Sequence, residues 1–340
     1  MIQWLQLTDD QRKASLAEAE YESGIQAKAI EKDWWVTLTL KALFQGAFAP
    51  HIAFKGGTSL SKCWKLIARF SEDIDISLSP EAFGMTHDEN PSGRAVVRLR
   101  TAGCEFTNTL FKTEIENQLI ALGLPAGTVT ITPAPLIEGH PEKDPQTLHL
   151  KYQSLYDPNP YIPDEVKIEV GVRSLLDPNA TVEVQSLLSE FNPQPAYPEA
   201  PFSVSAVLAR KTFLEKAFLL HEEFSKEDRA KVRFLRMSRH LYDLGKMVGT
   251  TIESDALSDH DLYDHLIVHR ERFQRFNWFD YKTLSHATLS FLPSQDVIEQ
   301  YRSDYATMRE QMIYEEAPEF DELIERLAAL QNRFRTKMDK

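Results

Sequence analysis

Along residues 8–44 the apolar positions Leu16, Ile25, Ile30, Trp34, Leu38 and Leu40 keep a rough helical spacing, and Thr8 stands where it can cap the segment from Asp9. Gly46, Pro50 and His51 break that pattern. Residues 51–55 (His-Ile-Ala-Phe-Lys) then read as a short strand, Gly56-Gly57 as a turn, and 58–68 as a helix with Leu60, Trp64 and Ile67 on one side. The period changes to two over 73–78 (Asp-Ile-Asp-Ile-Ser-Leu), which predicts a strand. A polar, turn-rich loop is expected over 79–94 and a helix over 95–122. Alternation returns at 127–133, 147–153 and 165–172, each expected as a strand. Residues 157–164 carry three prolines and must be a connection. Proline density rises again through 193–201, and from about 203 onward the patterns are mostly helical. The chain therefore reads as α+β, with a mixed sheet and N-terminal helical segment in residues 1–200 and a helical domain in 201–340.

Composition changes this picture little. Hydrophobic residues make up 42% and charged residues 26% of 340 positions, ordinary values for a globular protein. No stretch is apolar enough to span a bilayer. Met1-Ile2-Gln3-Trp4 lacks the basic and apolar regions of a signal peptide. Cys63 and Cys104 have no His or Cys at zinc-ligand spacing. The expectation is a reduced, cytoplasmic protein with no membrane partner. The net charge of −13 argues against a long nucleic-acid-tracking surface, so any nucleic-acid contact would be a local patch. It also suits a site for divalent cations or a basic partner.

Two features carry candidate chemistry. In a strand, alternate side chains share a face, so Ile74 and Ile76 point to a core while Asp73 and Asp75 stand together on the other face. Adjacent carboxylates repel unless a cation lies between them. Taken alone, the pair could equally be a solvated strand face. Upstream, strand, Gly56-Gly57 and helix bring backbone N–H groups to one point. There glycine lets a phosphate approach, and Thr58 or Ser59 can cap the helix or offer a hydroxyl. This too has a plain alternative, an ordinary turn with a helix cap. Together the two features make a phosphate cradle facing a metal site, as transfer of a nucleotidyl group requires.

The stretch Phe54-Lys55-Gly56-Gly57-Thr58-Ser59-Leu60-Ser61-Lys62, followed by Arg69-Phe70-Ser71-Glu72-Asp73-Ile74-Asp75-Ile76, resembles the signature of the AbiEii/AbiGii toxin family, nucleotidyltransferases of the DNA-polymerase-β-like superfamily. Glu31-Lys32-Asp33-Trp34-Trp35 is similar to that family's Glu-Lys-Asp-aromatic segment. Thr212-Phe213-Leu214-Glu215-Lys216 with Leu220-His221 is similar to its lysine motif, and Arg239-His240-Leu241-Tyr242-Asp243-Leu244 to its last motif. The resemblance runs from about residue 29 to 246, in the expected order. The gap between the glycine turn and Asp73 is longer than in many transferases of the superfamily, but looks normal for this family.

The resemblance implies a third carboxylate on a neighbouring strand. Glu169 is the candidate, as metal ligand or general base, because Val166, Ile168 and Val170 share the buried face and Glu165, Lys167 and Glu169 the other. A solvated charged face is the alternative. The resemblance also implies that Lys216 neutralises triphosphate charge, where an isolated reading gives a surface lysine. Asp243 either belongs to the site, ordering Lys216 or the acceptor, or simply pairs with Arg239 one helical turn away. Arg229, Arg233, Arg236 and His240 would share one face of a helix over 226–240, which with Arg239 makes a local RNA footprint or a solvated face paired with Glu222, Glu223, Glu227 and Asp228. Trp34-Trp35 is expected in the core.

The implied activity is that of a toxin from a toxin–antitoxin or abortive-infection system. It would transfer NMP from an NTP to an acceptor hydroxyl with Mg²⁺ or Mn²⁺, the tRNA 3′ end being the leading acceptor. A separate antitoxin is implied as partner. Nucleotidylation of a protein, and nucleotide binding without turnover, are the alternatives.

Overall fold

The computed structural model describes residues 1–71, 73–136, 139, 142–159 and 161–336. Glu72 of the signature, Pro160 and His140 lie outside the described residues. The chain falls into two compact units. The first comprises Met1–Trp64, Phe70–Asp88 and Ser92–Val207; the second comprises Lys65–Arg69, Glu89–Pro91 and Leu208–Lys340. The first unit extends past the proline-rich stretch.

In the first unit, the expected helix over 8–44 is two helices. Helix α1 (Asp9–Ser23) opens on a capping box between Thr8 and Gln11 and stops at Gly24, whose φ of 71° is the left-handed conformation glycine tolerates best. Helix α2 (Ala27–Gln45) is buried along most of its length. Trp34 and Trp35 are core residues: Trp34 packs on Trp4 with ring centroids 4.8 Å apart, and Trp35 stacks on Tyr152.

Strand β1 (Ile52–Lys55) leads directly into α3 (Gly56–Lys62), so the glycines open the helix rather than precede it. The helix expected to reach residue 68 ends at Lys62. The next residues diverge: Lys65 has a φ of 50°, and the Trp64 indole N–H donates to the Val207 carbonyl at 3.1 Å. Strand β2 (Asp73–Leu78) follows. The helix expected over 95–122 is α4 (Gly93–Phe106) and α5 (Lys112–Ala121) joined through a wider turn at Thr107–Phe111.

Strands β3 (Val129–Pro133), β4 (Gln146–Tyr152) and β5 (Glu165–Gly171) form where alternation places them. Strand β6 (Asn179–Val184), helix α6 (Leu187–Phe191) and strand β7 (Phe202–Val207) complete the unit. The sheet order is β3-β4-β5-β2-β1-β7-β6. The β2–β5 and β1–β7 pairs are parallel and the others antiparallel, so the sheet is mixed as expected. Strand β7 corrects the expectation of mainly helical structure from residue 203. Phe-Ser-Val-Ser-Ala-Val alternates, with Phe202, Val204 and Ala206 buried.

The second unit is helical: α7 (Ala209–Phe224), α8 (Ser238–Met247), α9 (Thr251–Ser258), α10 (His260–Gln274), α11 (Ile298–Gln311) and α12 (Phe320–Thr336). Gly245 on α8 lets α12 approach, since a Cβ there would stand 2.3 Å from the Leu323 side chain. Residues Lys65–Arg69 join this unit through a bridge between Arg69 and Ile313 and a hydrogen bond from the Tyr314 N–H to the Ala68 carbonyl. No helix among the described residues is long and apolar enough to cross a membrane.

Candidate active site

One face of the sheet carries the candidate chemistry. Ile74 and Ile76 of β2, and Val166, Ile168 and Val170 of β5, are buried, which turns their alternate neighbours to the opposite face. Register then aligns them. Asp75 lies beside Glu169 on one side and opposite Lys55 on the other, while Asp73 lies beside Lys167. Glu169 in turn faces Thr147, and Lys167 faces His149. Asp73, Asp75 and Glu169 thus line two neighbouring strands, spaced as adjacent strands are, about 5 Å apart.

Lys167 stands among these carboxylates. Its ammonium pairs with Glu169. Burial works against the ammonium, but Asp73, Glu169 and Asp75 outweigh it and hold the lysine above its ordinary pKa. Anionic charge at this point therefore outweighs the effect of burial. Lys55 reaches the Ser174 hydroxyl at 2.7 Å.

The glycine segment presses on the same carboxylates. Gly56 has a φ of 77°, and a Cβ on it would stand 2.0 Å from Asp75 Oδ2. Only glycine fits, both by conformation and by space. The Thr58 hydroxyl donates to the Asp73 carbonyl and lies 2.9 Å from Ser71 Oγ, whose hydroxyl can donate to it, so it ties α3 to β2 instead of offering itself to a phosphate. The Ser59 hydroxyl is buried without a hydrogen-bond partner among the described residues, which leaves its hydrogen-bonding capacity unused.

Hard oxygen donors on neighbouring strands suit Mg²⁺ or Mn²⁺. Among the described residues no three His, Cys, Asp or Glu already encircle one point, in keeping with the Lys167–Glu169 pair. The oxygen donor set and the glycine-only approach to Asp75 together fit a divalent cation on this face.

Lys216 and Asp243 meet in the second unit, where Lys216 Nζ lies 2.9 Å from Asp243 Oδ2. Of the two readings of Asp243, this contact belongs to the one in which it holds Lys216. Arg69 takes the carboxylate with two hydrogen bonds, Nε to Oδ1 at 2.7 Å and Nη2 to Oδ2 at 2.8 Å. Arg69 is 2% and Asp243 0% exposed. Burial alone would raise the Asp243 carboxyl, but Arg69 and Lys216 prevail and hold it well below the usual carboxylate range. Burial lowers the Lys216 ammonium; Asp243 opposes that shift, and Arg69 and Arg239 add to it. Burial, Lys216 and Arg239 also push His240 well below its ordinary value, so its neutral ring accepts from Lys216 Nζ at Nδ1, 3.2 Å away.

Arg69 is the residue that sequence spacing missed. It lies within the signature, but its partner is 174 positions away. The expected basic helix over 226–240 does not form. Residues Arg229–Lys231 make one short turn, and α8 begins only at Ser238. Arg229 bonds Asp296 at 2.6 Å and the Phe224 carbonyl, and Arg233 bonds Glu223 at 2.6 Å. Arg236 has a φ of 58°, and its backbone N–H donates to Asp304. These arginines therefore share no helical face. Side chain–backbone and ion-pair contacts compete with the helix and win.

Comparison with known proteins identifies the family. No curated protein matches the chain. Among solved structures, MenT4, a nucleotidyltransferase toxin from Mycobacterium tuberculosis H37Rv, aligns over 96% of this chain and 98% of its own at 17% identity, with a TM-score of 0.42. Residues 39–326, well over half of the chain, match the family model described as nucleotidyl transferase AbiEii toxin, type IV toxin–antitoxin system. The chain that sets Asp73, Asp75 and Glu169 on one sheet face accordingly belongs to the AbiEii nucleotidyltransferase toxin family of type IV toxin–antitoxin systems.

Proposed function

We propose that this nucleotidyltransferase moves a nucleoside monophosphate from an NTP to the 3′ hydroxyl of an RNA, forming a phosphodiester as the α–β phosphoanhydride bond breaks and pyrophosphate leaves, tRNA being the first acceptor to try. Asp73, Asp75 and Glu169 would hold Mg²⁺. The observation that carries the reading is the parallel register of Asp75 with Glu169, with Gly56 pressed against Asp75. Bound metal would neutralise triphosphate charge and activate the attacking hydroxyl. The chain's own groups do the rest. Backbone N–H groups of Gly56 and Gly57 and the Ser59 hydroxyl bind phosphate oxygens. Asp243 and His240 hold the Lys216 ammonium, to which the family resemblance assigns the phosphate charge of the nucleotide. The RNA acceptor is supported by the resemblance to the toxin family, since the basic helix once expected to bind it does not form. A separate antitoxin and a cytoplasmic site of action follow from the same family reading.

The test is incubation with each α-labelled NTP, Mg²⁺ and total cellular RNA, beside Asp73→Ala. Label entering RNA with one NTP, abolished by the substitution and by EDTA, is the expected result. Label that resists RNase but not protease would replace RNA with a protein acceptor. Nucleotide binding with no pyrophosphate from any cellular fraction would overturn transfer altogether.

A further inference from the structure

Glu31, Lys32 and Asp33 are consecutive on α2, and all three are buried, at 1%, 1% and 7% exposure. Successive helix positions point about 100° apart, so three buried charges in a row need three separate sets of partners. Each has one. Glu31 accepts from the Ser154 hydroxyl at 2.6 Å and the Leu155 N–H at 2.9 Å. Lys32 donates to the Pro163 carbonyl at 3.0 Å, and Lys28, one turn earlier, to the Asp157 carbonyl at 2.7 Å. These groups hold Ser154, Leu155, Asp157 and Pro163, all just ahead of β5 and Glu169.

Asp33 points elsewhere. One carboxylate oxygen takes the Lys62 ammonium at 2.6 Å, and the other takes the Leu187 N–H at 2.7 Å. Lys62 is the last residue of α3, a helix of only seven residues. A helix that short does not hold itself together in water and depends on its attachments. Its first turn is fixed by Thr58 on the Asp73 carbonyl and by Gly56 against Asp75, its last turn by Lys62 on Asp33.

We propose that Asp33 is a positioning residue for the nucleotide: through Lys62 it sets the placement of α3, and so of Gly56–Ser59, relative to the carboxylates of β2. The proposal rests on the reading of Gly56–Ser59 as the phosphate-binding segment. Asp33 itself touches no substrate. One short side chain on α2 thereby fixes the phosphate-binding end of the site, while Glu31, two residues earlier, fixes the strand bearing Glu169.

The experiment compares Asp33→Asn, Lys62→Met and Lys62→Arg in the full chain. It measures affinity for each Mg²⁺–NTP and for inorganic tripolyphosphate, together with melting temperature. Asp33→Asn and Lys62→Met are expected to weaken binding about ten-fold, as misplacement of a preorganised anion site does. Lys62→Arg, which keeps the ion pair, is expected to bind within about two-fold of the parent. Should Asp33→Asn fail to fold, the two Lys62 variants decide the matter. If Lys62→Met lowers the melting temperature but binds tripolyphosphate and the preferred NTP like the parent, the pair is only a structural contact and the proposal fails. Gly57→Val separates the two readings. Unchanged affinity there would sink the phosphate-binding segment itself and the role of Asp33 with it. Weakened affinity there, with Asp33→Asn and Lys62→Met unaffected, would sink the role of Asp33 alone.

Discussion

Two charge clusters in this molecule are built on opposite plans. On the sheet of the first unit, three carboxylates surround one ammonium, and all four side chains are partly exposed. In the helical unit, two cations share one carboxylate, out of water. In the first arrangement the carboxylates outnumber the Lys167 ammonium on a partly exposed face. The second has its carboxylate fully spent and fixes the orientation of Lys216. Similar chemical groups thus stay half-exposed in one place and are locked out of water in the other. What separates the two is the ratio of charges and their access to solvent.

Substitutions break the comparison in graded steps. Asp75→Ala should cost transfer activity on the order of a thousand-fold, about 4 kcal/mol, in a label-transfer assay, while circular dichroism shows an intact fold. An equal loss of folding stability would make Asp75 a structural residue after all. Asp243→Ala should do the reverse first. Stranding the buried Arg69 and Lys216 charges is expected to remove about 3 kcal/mol or more of stability in urea unfolding. A variant as stable as the parent would show that the buried cluster is not what orders Lys216.

Gly56→Ala tests the contact between the glycine segment and the carboxylate face. The added methyl meets Asp75 Oδ2 and the positive φ disfavours alanine. About a hundred-fold loss of activity is expected, and parent-like turnover would mean that Asp75 can yield without consequence. Asp243 also predicts a pH dependence. Its carboxyl lies below the ordinary aspartate value of 3.8 in the folded chain. The stability it contributes is therefore present above pH 3.8 and is lost as pH falls from there toward the depressed folded value. The stability gap between the parent and Asp243→Asn should be widest near neutrality and shrink below about pH 4. A gap that widens in acid would contradict this sign. Least in magnitude, Lys167→Met should lower the melting temperature in EDTA by a few degrees while enlarging the stabilisation that added Mg²⁺ brings. Equal Mg²⁺ stabilisation of both proteins would mean that Lys167 does not fill a cation position.

Alternation explains why the sheet face was legible in the sequence. Ile74, Ile76, Ile168 and Val170 declare which side is core, so the placement of Asp73, Asp75 and Glu169 on the other side follows from parity alone. Parity does not give register, and the side-by-side position of Asp75 and Glu169 needed the parallel pairing of β2 and β5. Pairings at long range left no periodic trace. Asp243 has Arg239 one helical turn away yet bonds Arg69, because burial favours the two-pronged contact. Likewise, Arg229 and Arg233 fit a helical face on paper. In the fold, the carbonyl of Phe224 and the carboxylates of Asp296 and Glu223 claim them. Strand β7 was hidden by its position straight after a run of prolines, although its alternation is regular.

The pairing of Arg69 with Asp243 also sets an order of events during synthesis. The arginine leaves the ribosome first, and its carboxylate partner follows 174 residues later. At the usual pace of translation that is a wait of roughly ten to thirty seconds. For most of it the nascent chain carries the glycine segment and the aspartate strand but has neither Lys216 nor the carboxylate that holds it. The buried cluster of Arg69, Asp243 and Lys216 can close only once the helical half of the chain has been translated.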